Sequence, residues 1–132
     1  MDPRSCTSSD PFARRLWAYL LERFPPAAYT VLVALFTGSA HSLAEIISGV
    51  PVPIAVGVRS GFVVLLVFFH LRIMDEHKDG ADDRLAYPDR LLSRGVVTLP
   101  LLARLGVAAI ALECALAWWI SIEALWAWLA GL

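Results

Sequence analysis

Three aspartates at intervals of four residues, Asp75, Asp79 and Asp83, lie in a densely charged stretch of the sequence. If this stretch is helical, each step of four residues rises about 6 Å and turns by only about 40°, so the three carboxylates form one stripe. Glu76 and Asp82 lie on adjacent faces. Because like charges at this spacing destabilise an isolated helix, the sequence predicts that positive charge compensates the stripe.

Two sources of positive charge would compensate the aspartates. The first is local: Arg72, Lys78 and Arg84 pair with the acids in a solvated loop, as happens in most charge runs. The second is a divalent cation, since Mg²⁺ is commonly held by one or two carboxylates and takes its other ligands from water and substrate phosphates. Nearby arginines would then bind the remaining oxygens of a diphosphate. The spacing alone leaves both interpretations open.

The rest of the sequence indicates a membrane protein. Of its 132 residues, 58% are hydrophobic, and the mean hydropathy of +0.66 is high for a soluble domain of this size. The formal net charge is −1, and no basic stripe with interleaved aromatic residues is present, which argues against nucleic acid as a partner. Cys6 lies in a polar tail and Cys114 in an apolar run, a pattern that does not indicate a disulfide framework. A lipid bilayer is the expected environment.

Three apolar segments are long enough to cross a hydrocarbon core of about 30 Å. Within a transmembrane region at 25–132, we predict spans at about residues 27–48, 54–74 and 98–120. Glu113 interrupts the third span, and the sequence is equally compatible with a neutral, hydrogen-bonded side chain and with a functional one. His41 and His70 do not have the spacing of metal ligands and are predicted to be packed or interfacial histidines.

Residues 1–24 are predicted to form a polar tail and a short amphipathic helix. Arg14, Arg15 and Glu22 lie off its apolar face, and the helix is expected to lie in the membrane interface. The apolar face comprises Phe12, Leu16, Tyr19, Leu20 and Phe24. Lys and Arg are concentrated in this region and around the Asp-rich loop 75–97, whereas the turn between the first two spans has none. The positive-inside rule therefore places the N-terminus and this loop in the cytoplasm.

The run LRIMDEHKDGADDRLAYPDRLLSRGVVTLPLL resembles the first aspartate-rich motif and following loop of the UbiA-type intramembrane prenyltransferases. The preceding LLERFPPAAYTVLVALFTG is similar to the start of that family's first helix. This resemblance implies an all-α fold, a multi-pass transmembrane helical bundle in the bacterial inner membrane. It also implies transfer of a prenyl group from an isoprenoid diphosphate to a membrane-soluble, often aromatic acceptor, with Mg²⁺ as the cofactor.

The resemblance assigns roles to individual residues. Arg90 and Arg94 match basic positions that would bind diphosphate oxygens. Met74 stands where the family usually has asparagine, and the spacing of the acids is shifted. Four acids are therefore candidates for the metal-binding positions: Asp75, Asp79, Asp82 and Asp83.

The sequence carries about three of the family's nine helices and one of its two aspartate-rich motifs. After Asp89 the only acids are Glu113 and Glu123. We therefore expect an incomplete N-terminal portion of a UbiA-like fold, a fragment that lacks activity alone and for which a partner chain would supply the missing helices.

Two other classes of protein fit parts of the sequence. Enzymes that join CDP-linked lipids to alcohols also use aspartates at the membrane surface, but they need a glycine and an alanine–arginine pair between the acids. The stretch DGADDR offers only the glycine. A non-enzymatic small membrane protein, such as a transporter subunit or a scaffold with a solvated charged loop, would tolerate replacement of the acids and would bind no metal.

Overall fold

The computed structural model describes residues 5–131, with the backbone alone at Ala81, so residues 1–4 of the predicted tail lie outside the described part. The described residues form α-helices joined by turns, without a β-strand. The helices are α1 (Phe12–Arg23), α2 (Pro26–Ser48), α3 (Ile54–Ala86), α4 (Leu99–Ile120) and α5 (Ile122–Ala130).

Three segments are long and apolar enough to cross a membrane: α2, the part of α3 over Ile54–Gly80, and α4. In their most apolar windows only 6%, 11% and 22% of the residues are buried inside the protein, so most residues there keep at least part of their surface exposed, as lipid-facing helices require. The prediction of an all-helical protein with three candidate membrane-spanning helices is confirmed, and a lipid bilayer is the environment that these helices suit.

The turn between α2 and α3 has a clear local cause. Gly49 adopts a left-handed backbone conformation with φ of 66°, which favours glycine and ends the helix. Pro51 and Pro53 follow and cannot continue a helical hydrogen-bond pattern. The side chain of Glu45 completes the turn, because its Oε1 accepts a hydrogen bond of 2.9 Å from the backbone N–H of Val52.

The charged segment 75–97, expected to be a loop, is helical as far as Ala86, because α3 continues without a break beyond the predicted span end. The interior of α3 contains no proline. The helix ends just before Tyr87, because the ring of Pro88 disfavours the α-helical conformation at the residue that precedes it. Turns without regular helix connect α3 to α4. The acids that follow the predicted span end at residue 74 therefore lie on the same helix as the span.

The chain divides into two compact units. The first, within the described residues, comprises 5–26 and 69–107. Its core holds the fully buried side chains of Tyr19 and Leu102, against which Leu16 and Leu20 of α1 pack. The predicted apolar face of α1 is thus used largely for packing within the protein, and the large apolar side chains that α1 leaves half exposed are Phe12 and Trp17.

The second unit comprises residues 27–68 and 108–131 among those described. Helices α2 and α3 approach closely here, since a Cβ atom built at Gly57 would lie 2.9 Å from Nδ1 of His41. The guanidinium of Arg59 lies 4.5 Å from the centre of the Trp119 ring and so connects α3 to α4. Helix α5 begins at a capping serine, Ser121, whose hydroxyl accepts from the backbone N–H of Ala124 at 3.0 Å.

Candidate functional site

The acids of α3 fall into an exposed set and a partly or fully buried set. Asp75, Asp79 and Asp82 are exposed. The side chain of Asp75 retains 59% of its accessible surface, and its ion pair with Arg72 spans 3.8 Å, near the limit for such a contact. Exposed pairs of this kind contribute only about 0–1 kcal/mol. Asp75 and Asp79, one turn apart on a regular helix, are therefore accessible to a ligand.

The buried set consists of Glu76 and Asp83, which share the guanidinium of Arg23. Nε of Arg23 donates to Oε1 of Glu76 across 2.5 Å, and Nη2 donates to Oδ2 of Asp83 across 3.2 Å. Arg72 adds a hydrogen bond of 2.9 Å to the same oxygen of Glu76. The side chain of Glu76 is only 1% exposed, so its charge is compensated almost entirely by protein groups.

The charge state of Arg23 follows from this arrangement. Burial favours loss of its proton, but the hydrogen bonds and negative charges of Glu76 and Asp83 outweigh burial and raise the pKa of the guanidinium. Arg23 therefore remains a cation at any physiological pH and joins the C-terminal end of α1 to α3.

The two arginines predicted to bind diphosphate have different surroundings. Arg90 donates from Nη1 to Oδ2 of Asp83, and its guanidinium lies 3.6 Å from the centre of the Tyr87 ring. Arg94 donates from Nη2 to the backbone carbonyl of Cys6 at 2.9 Å, which ties the N-terminal segment to the turns after α3. The structure thus brings Arg90 directly to Asp83.

The residues present fit Mg²⁺ in one particular mode. Within the described part of the chain, no three His, Cys, Asp or Glu side chains are grouped as a protein cage for a metal ion. Mg²⁺ does not require such a cage, because it usually keeps several waters and binds one or two carboxylates together with substrate phosphates. The exposed Asp75 and Asp79 provide that number of hard oxygen ligands on one helix.

Glu113 shows how an ionisable residue within a candidate span is accommodated. Its side chain is fully buried, and Oε2 accepts a hydrogen bond of 3.1 Å from Nε1 of Trp128 on α5. Of the two interpretations left open by the sequence, this contact favours the hydrogen-bonded, structural one.

Two features of the structure were not identified from the sequence. One is the role of Arg23, because no local pattern pairs it with acids that lie far along the chain. The other is a cavity of about 720 Å³ in the second unit, between α2 and α3. Its lining is largely apolar, and its polar members include Thr37, His41 and Glu45. His41 lies 3.6 Å from Glu45, which agrees with a packed histidine.

No family model, curated protein or solved structure matches this chain. The resemblance to UbiA-type prenyltransferases therefore stays a prediction from the sequence.

Proposed function

We propose that the chain forms part of a Mg²⁺-dependent prenyltransferase that acts on an isoprenoid diphosphate within the membrane. The observation that supports this proposal is the continuity of α3. One helix carries both a candidate membrane span, Ile54–Gly80, and the exposed carboxylates of Asp75 and Asp79 near the end of that span. A substrate with a diphosphate head and a hydrocarbon tail suits a site at the edge of an apolar helix.

The residues of this chain have separate tasks in the proposed reaction. Asp75 and Asp79 would hold Mg²⁺, which when bound neutralises the negative charge of the diphosphate. Arg90 would donate to diphosphate oxygens as the bond between the allylic carbon and the diphosphate oxygen breaks. The acceptor then forms the new bond to that carbon and releases a proton. The apolar helices limit the access of water, which would otherwise capture the allylic carbon.

The proposed diphosphate site needs ligands beyond those of this acidic segment. A diphosphate held from one side by a single acidic segment is only partly neutralised. We propose that a second acidic segment, on helices beyond the three candidate spans, binds it from the other side, and that a partner chain can supply those helices.

Retention of a labelled prenyl diphosphate tests the proposal. The 132-residue chain is reconstituted in lipid nanodiscs, incubated with radiolabelled geranyl diphosphate and separated from free ligand. We expect Mg²⁺ to increase retention, and we expect EDTA or the double substitution Asp75→Asn, Asp79→Asn to abolish the increase. Asp10→Asn, which removes an acid of the N-terminal turn that pairs with Arg14, is the matched control and should retain the ligand as the unmodified chain does.

A non-enzymatic membrane protein is the alternative, and the pairing of Arg72 with both Asp75 and Glu76 favours it, since that pairing is the local compensation expected for a charged surface segment. Under this alternative, retention of geranyl diphosphate would not depend on Mg²⁺ or on the two aspartates.

A further inference from the structure

Asp83 differs from the other predicted metal ligands because two arginines already contact it. Nη2 of Arg23 and Nη1 of Arg90 both donate to Oδ2 of Asp83. The side chain of Asp83 is only 19% exposed, whereas that of Asp75 is 59% exposed. Two guanidinium charges beside one carboxylate repel a divalent cation, so this carboxylate is the least suited of the four acids to bind Mg²⁺.

Arg23 is itself held firmly in place. The core of the first unit fixes α1 through Tyr19. The neighbouring Phe24 is buried, with its ring 5.5 Å from that of Phe69 in an edge-to-face contact. The planar guanidinium of Arg23 spans Glu76 and Asp83, about two helical turns apart on α3. A lysine, which carries one compact ammonium group, would not reproduce this fork.

Arg90 is restricted on two sides. Asp83 binds Nη1, and the ring of Tyr87 covers one face of the guanidinium. An arginine side chain has five N–H donors in a fixed plane, so the donors that do not serve Asp83 point in directions set by these two contacts. An anion that binds Arg90 would meet a group that is already oriented.

We propose that Arg23 is a positioning residue that acts through Asp83 to orient Arg90 toward the diphosphate, and that Asp83 anchors these arginines and is not a metal ligand. This inference rests on the proposed function and refines it. Among the four predicted metal ligands, the exposed acids bind the cation, whereas Asp83 holds Arg90, the arginine that binds the anion.

Two binding measurements on the full chain in nanodiscs separate these roles. Mn²⁺ binding, followed by electron paramagnetic resonance, reports the cation site. Binding of radiolabelled inorganic pyrophosphate at saturating Mg²⁺ reports the anion site. We expect Asp83→Asn and Arg23→Gln to leave the Mn²⁺ dissociation constant within about twofold of the unmodified value and to weaken pyrophosphate binding by about tenfold. Asp79→Asn should weaken Mn²⁺ binding itself.

Further variants keep the result interpretable if Arg23→Gln alone does not fold. The double substitution Arg23→Gln, Glu76→Gln removes the buried carboxylate together with its partner, so no uncompensated charge remains, and it should show the same selective loss of pyrophosphate binding. Arg23→Lys should weaken pyrophosphate binding as Arg23→Gln does, because a lysine cannot contact Glu76 and Asp83 at the same time. Arg14→Gln on the same helix is the control, since the side chain of Arg14 is 45% exposed and pairs with Asp10.

The inference is overturned if Asp83→Asn weakens Mn²⁺ binding as much as Asp79→Asn does, or if the double substitution at Arg23 and Glu76 leaves pyrophosphate binding unchanged. Either result would leave the proposed function intact. Absence of Mn²⁺ binding to the unmodified chain would instead overturn the proposed function, and this inference with it.

Discussion

The guanidinium of Arg23 and the carboxylate of Glu76 lie 2.5 Å apart, although 53 residues separate them in the sequence. This contact joins α1 to the charged end of α3 and compensates a carboxylate that is almost completely buried. The acidic stretch is thus not a uniform row of solvated charges. Part of it holds the first unit together, and part of it, Asp75 and Asp79, is left accessible.

Replacement of Arg23 by Gln should destabilise the first unit by about 1–3 kcal/mol, because it leaves the buried charge of Glu76 with Arg72 as its remaining ion-pair partner. Thermal unfolding in mild detergent, followed by circular dichroism, measures the loss. Arg14→Gln should cost less than about 1 kcal/mol, since the side chain of Arg14 is 45% exposed and its pair with Asp10 is local on one turn of chain. Equal losses for the two variants would contradict the structural role of Arg23.

Replacement of Trp128 by Phe should lower stability by about 0.5–2 kcal/mol, because Glu113 loses the indole hydrogen bond while the aromatic ring is largely kept. Trp126→Phe is the matched control on the same helix, and its side chain is 64% exposed. Thermal unfolding of both variants in the same detergent compares the two losses of stability. If Trp126→Phe is as damaging as Trp128→Phe, the hydrogen bond to Glu113 is not what attaches α5.

A methyl group at Gly57 should disturb the packing of α2 against α3. The added Cβ would lie 2.9 Å from Nδ1 of His41, so the ring must move away from its place beside Glu45. At Gly38 the added atom meets open space. We expect Gly57→Ala to be less stable than Gly38→Ala by about 1–3 kcal/mol, as measured by thermal unfolding. A Gly57→Ala protein at least as stable as Gly38→Ala would show that the helices are not closely packed there.

The predicted orientation is tested by labelling single cysteines with a membrane-impermeant maleimide in a background that lacks Cys6 and Cys114. Asp89→Cys lies in the exposed turn after α3, and Val50→Cys lies in the exposed turn between α2 and α3. The concentration of Lys and Arg near residue 89 predicts that position 89 reacts only from the cytoplasmic side and position 50 only from the opposite side. The reverse pattern would place the acids outside the cytoplasm.

The apolar segments were predictable because a membrane span needs only a sufficient length of uncharged, apolar residues, and this signal is local. The turn at Gly49 was equally clear, since glycine and two prolines mark it. The extension of α3 to Ala86 could not be predicted with the same clarity. A run of like charges disfavours a helix, and the positive groups that compensate it were not known from the sequence.

The division of the acids was not predictable from spacing. Glu76 directly follows Asp75 in the sequence, yet one is buried and the other is exposed. The difference depends on α1, which packs through its apolar face and thereby brings Arg23 to one side of α3. The amphipathic pattern of α1 was visible in the sequence, but the pattern does not distinguish a membrane surface from a protein core as the partner of that face.

Calorimetric titration of Mg²⁺ into the unmodified chain in nanodiscs, in the presence of geranyl diphosphate, tests the central claim most directly. We predict a saturable heat that corresponds to about one or two ions per chain and that disappears when Asp75 and Asp79 are both replaced by Asn. No heat from the unmodified chain, or the same heat from the doubly substituted chain, would contradict the account.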